Sequence, residues 1–492
     1  MAPPFTGLFI NGQLRPASDG GLYEVHNPYT REVVGTAAAA SKQDAQDAIE
    51  AATRAFQTWE QSPLSVRRDV FLKTSDLLAT DAWRKKVTEA LREEVSATDY
   101  MVFFNFWLGD NGLRVDAGAI NQLKGETFPS ILPGGQVTTQ RRAMGVIYSI
   151  APWNAPLPLT IRAVTVPIIC GNTVVLKTSE SSPRSSTLVA ELLKEAGLPD
   201  GVLNVISTRR SDSPARTAEI IAHPAVRKVT FTGSSAVAKL IAAEAAKHLK
   251  PCVFELGGKA PVVVLEDADI ERAARAIASS ALMNSGQICM STERVIVQRS
   301  VAPALTEALR KHFGSTKAGG PGQILSALFT EASAQRFVDM LQDAVSRGAK
   351  VLVGDQKRVG GVVQPHIVTN VTTDMRIWSE ETFAPNIVLL PVGSVDEAVA
   401  LANQSEYSLM AAVWTRDVYN AYEIAARIHS GGSMNINGPT IHTEMGMAGS
   451  GVGSLKGLGG ASGYGHFGIE EFTYVRVITL HPKEPQQYPL VK

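Results

Sequence analysis

Cysteine is scarce in this 492-residue chain: Cys170, Cys252 and Cys289 are the only three, and no C-x-x-C pair occurs. That is too few for a disulfide framework, and the spacing is wrong for a structural zinc site. No metal is expected, and a reducing, cytoplasmic address follows. Net charge is also missing, since Lys+Arg and Asp+Glu are both 47. Proteins that bind nucleic acid or anionic membranes usually carry a basic excess, so neither partner is expected. Long apolar runs are absent too. The stretch 163–176 is broken by Pro167, Gly171 and Asn172, well short of the ~20 residues that cross a bilayer. The first residues, MAPPFTGLFINGQLRPASDG, have no basic segment ahead of their short apolar stretch, so no secretory leader is expected. No internal repeat is visible. What is present, 45% hydrophobic and 19% charged residues, is ordinary for a globular chain. At roughly 100–200 residues per domain the length suggests two to four domains.

From about residue 140 short Val/Ile runs alternate with helical patterns. Strands are expected at 145–150, 173–177, 202–206, 228–231 and 261–265, with helices at 184–196 and 235–249. A further helix carries Ile270, Ala273, Ala274, Ile277 and Ala281 on one face. Such alternation reads as βαβ units around a mainly parallel sheet. The first hundred residues differ, with long helical patterns at 43–59 and 65–97. Two extended segments, 125–142 and 472–481, are candidates to pair and protrude. The segment Gly446–Gly468 holds 10 glycines in 23 residues, either a flexible insertion or a site of close backbone packing.

Several residues stand where chemistry is possible. Cys289 follows a polar Asn-Ser-Gly-Gln turn that can present a thiol to a cleft, although a buried structural cysteine is the plainer reading. Glu255 ends a short apolar strand before Gly257-Gly258; it is either a surface glutamate or a base tuned by burial. Asn154, set between Pro152 and Pro156, either caps its own turn or serves as a fixed oxyanion donor. Lys177 and Glu180 close a buried-looking strand, where ligands bind in open α/β sheets. They can hold ribose hydroxyls or simply be solvated. A literal G-x-G-x-x-G at 463–468 neither follows a strand nor opens a helix in the sequence pattern, so it is rejected as a dinucleotide fingerprint. Gly233-Ser234, joining a strand to a helix start, is the better phosphate site.

Taken in order, these pieces resemble the aldehyde dehydrogenase superfamily over nearly the whole chain. The motifs are PWN at 152–154, GNTVVLK at 171–177, FTGS at 231–234, ELGGKAP at 255–261, GQIC at 286–289, EETFAP at 380–385 and IN at 436–437. The resemblance implies an α/β fold in three parts: a Rossmann-like NAD-binding domain (1–124 and 144–255), a catalytic α/β domain (256–458) and a small β-flap for oligomerisation (125–143 and 470–483). It implies Cys289 as nucleophile, Asn154 as oxyanion donor and Glu255 as the base that activates the hydrolytic water. Family members that pass the acyl group to coenzyme A lack a carboxylate at that position, so Glu255 favours release of a free acid. Trp153, Lys177, Glu180, Gly233, Ser234, Leu256, Gly257, Glu381 and Phe383 would line the cofactor site. NAD is preferred because a Glu180 carboxylate accepts bonds from a ribose diol and repels a 2′-phosphate; NADP stays possible. A small-molecule aldehyde is the implied partner, with a homodimer or homotetramer as the assembly.

Arg162, eight residues after Asn154, falls in the family's substrate tunnel. With INGPTIH at 436–442 it resembles the benzaldehyde, salicylaldehyde and vanillin dehydrogenase group. A guanidinium can bond a phenolic oxygen or stack on a ring; the plainer reading is a structural ion pair. Leu159, Met283 and His442 are further candidates for the tunnel wall. The expected activity is NAD-dependent oxidation of an aromatic, hydroxylated aldehyde. An aliphatic or pathway-specific aldehyde, thioesterase action without hydride transfer and a non-catalytic member are the alternatives. The chain departs from the family pattern at Ala238, at Ala384 and above all at 443–463, where about ten extra residues adjoin the tunnel mouth.

Overall fold

A computed structural model describes residues 3–320, 322–429, 432–442 and 465–482, with the side chains of 465–467 left out. Two seven-stranded sheets dominate it. The first has the order Cys252–Glu255, Val226–Thr232, Val146–Ile150, Thr173–Lys177, Leu203–Ile206, Leu8–Ile10, Gln13–Arg15. Its first five strands are parallel, and the amino-terminal pair joins antiparallel. Val146–Ile150 and Thr173–Lys177 are buried at every residue, because helices cover both faces of a parallel sheet.

The chain leaves Val146–Ile150 first to one side and then, from Val226, to the other. A crevice therefore opens at the carboxyl ends of Val146–Ile150 and Val226–Thr232, where strand order reverses. The second sheet runs Lys350–Val353, His366–Thr369, Asn386–Val392, Thr292–Gln298, Ala260–Val264, Met410–Trp414, Ser433–Ile436. It is parallel apart from its Lys350–Val353 edge.

The helix Ile270–Leu282 buries Ala273, Ala274, Ile277 and Ala281, the face its spacing predicts, and Asp269 caps its start. The two extended segments do pair: Thr473–Leu480 lies antiparallel to Gln136–Ala143 from Thr473↔Ala143 to Leu480↔Gln136, with Thr127–Pro129 on the far side. The exposed strand carries Tyr474, Val475, Val477, Ile478 and Leu480 to solvent.

Three expectations need correction. The pattern at 65–97 is two helices, Leu64–Leu78 and Asp81–Val95, broken where Thr80 adopts an extended conformation. Residues 99–119, for which no element was expected, form a 21-residue helix, Asp99–Ala119. The proline-rich stretch after Asn154 is also helical, Pro156–Ile169. Pro156 and Pro158 fit its first turn, where backbone N–H groups have no helical partner. Pro167 deprives the Ala163 carbonyl of its helical donor, and the Ser149 hydroxyl donates to that carbonyl instead at 2.8 Å. Most of the glycine-rich stretch, and with it the extra residues at 443–463, lies outside the described residues. Among the described residues no helix is long and apolar enough to cross a membrane, and no His/Cys/Asp/Glu group is placed to hold a metal.

Candidate active site

The thiol is delivered by a strained turn. After Ile270–Leu282 the chain passes through three left-handed residues, Asn284 (φ 51°), Ser285 (φ 57°) and Gly286 (φ 77°). Left-handed non-glycine residues cost of order 1 kcal/mol or more each and persist only where surroundings fix them. Here Ser285 Oγ donates to the Ser326 carbonyl (2.8 Å), Gln287 Nε2 to the Asn284 carbonyl (2.9 Å), and the Phe329 N–H to Gln287 Oε1 (2.8 Å). A Cβ at Gly286 would lie 2.1 Å from the Ala384 carbonyl oxygen, and one at Gly258 would lie 2.0 Å from that of Cys289. Backbone from three segments thus packs around the nucleophile turn, leaving Cys289 half-buried between the two sheets.

Asn154 meets this turn directly. Its Nδ2 donates to the Gln287 carbonyl at 3.0 Å, and its own carbonyl accepts from Asn284 Nδ2 at 3.1 Å. The amide is therefore fixed two residues from the thiol.

Glu255 ends its strand with its carboxylate buried, and Oε2 forms an ion pair with Arg162 Nη2 at 3.5 Å. Burial raises its pKa and Arg162 opposes the rise. The Cys289 thiol is pushed up by burial first, then by the Glu255 and Glu381 carboxylates, with Arg162 again opposing. Thiol, carboxylate and guanidinium therefore share one electrostatic neighbourhood.

The crevice of the first sheet holds the expected dinucleotide residues. Buried Lys177 donates from Nζ to the Thr178 carbonyl (2.9 Å), and half-buried Glu180 follows it. Burial lowers the Lys177 pKa and Glu180 opposes this. Across the reversal point, Ser234 caps Ser235–Lys247. The Gly233 N–H donates to the Glu255 carbonyl at 2.9 Å, tying the turn to the strand of the base. A cation and a carboxylate on one side, and a helix N-terminus behind a glycine turn on the other, suit a ribose and a phosphate.

Leu256 is buried, and Gly257 touches Glu381: a Cβ there would lie 2.2 Å from Oε2. Glu381 accepts the Gly258 N–H at 2.8 Å, and its pKa is raised to about 8, mainly by burial and by Glu293. Trp153 stacks on Phe329, with ring centroids 3.9 Å apart, and meets Phe383 edge-on at 6.0 Å.

Sequence reasoning missed three of these residues. Phe329 carries no motif. Lys259 and Glu293 form a buried pair at 2.5 Å, and the Glu293 carboxylate also accepts the Thr382 N–H and hydroxyl, anchoring the EETFAP loop. Only Lys259, inside ELGGKAP, had a signal.

On the substrate side Leu159 and Arg162 are three residues apart on Pro156–Ile169, both partly buried. Arg162 is found in the ion pair with Glu255. Met283 packs half-buried against the first core. His442 is exposed and ends a described segment, its carbonyl accepting from Asn435 Nδ2 at 3.2 Å.

A reversal-point crevice facing a second α/β sheet, with a thiol and a buried carboxylate between them, defines a dinucleotide-dependent oxidoreductase. Residues 15–478 match the model described as the aldehyde dehydrogenase family, and the chain belongs to that family. It is 43% identical over 490 residues to a vanillin dehydrogenase of Pseudomonas sp. (strain HR199 / DSM 7063), covering 98% of this chain and 99% of that one. It is 37% identical over 492 residues to a salicylaldehyde dehydrogenase of Pseudomonas putida, at the same coverage. Among solved structures, a salicylaldehyde dehydrogenase from Pseudomonas putida G7 complexed with salicylaldehyde superposes with a TM-score of 0.92 at 35% identity, over 99% of this chain and all of that one. Two mixed α/β sheets and a small flap sheet are thus the aldehyde dehydrogenase fold, and the enzyme oxidises aldehydes with NAD or NADP.

Proposed function

We propose that the chain oxidises an aromatic, ring-hydroxylated aldehyde to its carboxylic acid, with NAD as the preferred cofactor. The observation that carries the reading is the grouping of Cys289, Glu255 and Arg162 beside the fixed amide of Asn154. The Cys289 sulfur attacks the carbonyl carbon, and the Asn154 amide stabilises the oxyanion of the hemithioacetal. Lys177 and Glu180 hold one ribose, the Gly233-Ser234 turn a phosphate, and Glu381 the second ribose. NAD, when bound, would supply the hydride acceptor, so that the hemithioacetal loses hydride from its carbon, its oxyanion re-forms the carbonyl and a thioester to Cys289 results. Glu255 then takes a proton from water, whose oxygen displaces the Cys289 thiolate from the thioester and releases the acid. Glu180 favours NAD through ribose bonding and charge repulsion of a 2′-phosphate. The substrate class draws support from Arg162 on the tunnel helix and from the relatives' names.

NADH formation at 340 nm tests this against salicylaldehyde, vanillin, benzaldehyde, hexanal and betaine aldehyde, with NAD and with NADP. The aromatic aldehydes are expected to give the highest kcat/KM, with NAD ahead of NADP. Turnover of aliphatic aldehydes alone would overturn the substrate class and leave the family unaffected.

We also propose a cytoplasmic homodimer or homotetramer. Support for the assembly is the exposed apolar side chains of the flap strand, Tyr474, Ile478 and Leu480 on one face and Val475 and Val477 on the other, which a further copy would cover. Light scattering on the eluted enzyme is expected to give a mass of two or four chains; a monomer at micromolar concentration would overturn it.

A further inference from the structure

Arg162 is less simply a substrate contact than its place on the tunnel helix suggests. Its side chain is only 13% exposed, and the carboxylate it faces is 7% exposed. A second carboxyl lies within electrostatic reach. Asp116, on Asp99–Ala119, is fully buried, and its Oδ2 accepts the hydroxyl of Thr165 at 2.5 Å. Thr165 is three residues after Arg162 on the same helix. Asp116 Oδ1 has no hydrogen-bond partner. Burial raises the Asp116 pKa to about 7, with Thr165 and Arg162 opposing. Arg162 thus pairs with Glu255, while Asp116 is held by Thr165 of the same helix, and Cys289 feels the Arg162 charge. At 3.5 Å the grip of Arg162 on Glu255 is an ion pair without close hydrogen-bond contact.

We infer that Arg162 is a positioning residue for the hydrolytic half of the reaction: through an ion pair without close hydrogen-bond contact it holds the Glu255 carboxylate beside the thiol. This rests on the reading of Glu255 as the base. Among the described residues, Arg162 acts on Glu255, and Glu255, Glu381 and Arg162 act on the thiol. A positive charge favours the ionised carboxylate. Its removal raises the Glu255 pKa, and the basic form then appears only at higher pH.

The test uses the full-length enzyme with NAD. Rapid mixing reads the NADH burst for acyl formation, and the following steady state for deacylation, across pH and with salicylaldehyde and benzaldehyde in parallel. Arg162→Met is expected to move the acid limb of deacylation upward by about one pH unit, equally for both aldehydes; a burst still forms, but more slowly, because the same charge favours the Cys289 thiolate. Arg162→Lys restores most of the shift. An unmoved limb, with a rise in KM confined to salicylaldehyde, would make Arg162 a substrate contact only and overturn the inference. Should Arg162→Met fail to accumulate as folded enzyme, Arg162→Gln carries the same test, and a limb that stays put in that variant would count against the inference. Failure of the underlying reading looks different: Glu255→Gln would then leave wild-type deacylation and its acid limb intact.

Discussion

Cys289→Ala is expected to abolish aldehyde turnover, by at least about 10⁴-fold, the scale on which loss of a covalent nucleophile is felt. The fold should survive. The thiol packs only at the edge of a small cluster with Ala260, Leu409 and Met410. The left-handed turn is held by Ser285, Gln287 and Asn284 rather than by sulfur. The dinucleotide residues, Lys177 to Ser234, lie on other elements, so NAD affinity should change little. NADH formation over the aldehyde panel and NAD binding by calorimetry measure the two quantities. Residual turnover within tenfold of wild type would remove Cys289 from the mechanism. The same electrostatics give a pH expectation. Burial, Glu255 and Glu381 all favour the neutral thiol. The thiolate attacks, so the acyl-forming step should climb with pH through neutrality.

Glu255→Gln should separate the two half-reactions. Steady-state turnover is expected to fall about 10²–10⁴-fold, the usual worth of a general base, while one NADH per site still appears in a rapid burst. Glutamine keeps the volume of the buried side chain but removes its charge. That charge raises the Cys289 pKa, so the burst should gain relative to wild type over the pH range in which Glu255 is ionised and the thiol still protonated. Stopped-flow absorbance at 340 nm on a single pH series reads both effects. Loss of burst and steady state in equal measure would move Glu255 to the thiol-activating step.

Much of the fold was legible because its strands are short apolar runs between amphipathic helices. Thr173–Lys177 and the buried face of Ile270–Leu282 match their patterns. Asp99–Ala119 was not legible. It packs against other helices on several sides, so its apolar residues show no single stripe. Pro156–Ile169 was hidden by three prolines, two of them suited to a first turn and one supported by the Ser149 hydroxyl. Phe329 could not be anticipated, since nothing local marks an aromatic that will stack on Trp153 across 176 residues of chain.

The sequence by itself determined the chemistry available. A thiol after a turn of left-handed-tolerant residues, a carboxylate before paired glycines and an amide between prolines are local patterns, and their types and order limit the reaction. Tertiary structure decided which of these groups act on one another. Arg162 and Glu255 are 93 residues apart in sequence, and they meet because the middle of the helix Pro156–Ile169 and a strand end come together. Proton affinities in the site depend on burial and on charges brought together by folding, and no local pattern encodes either.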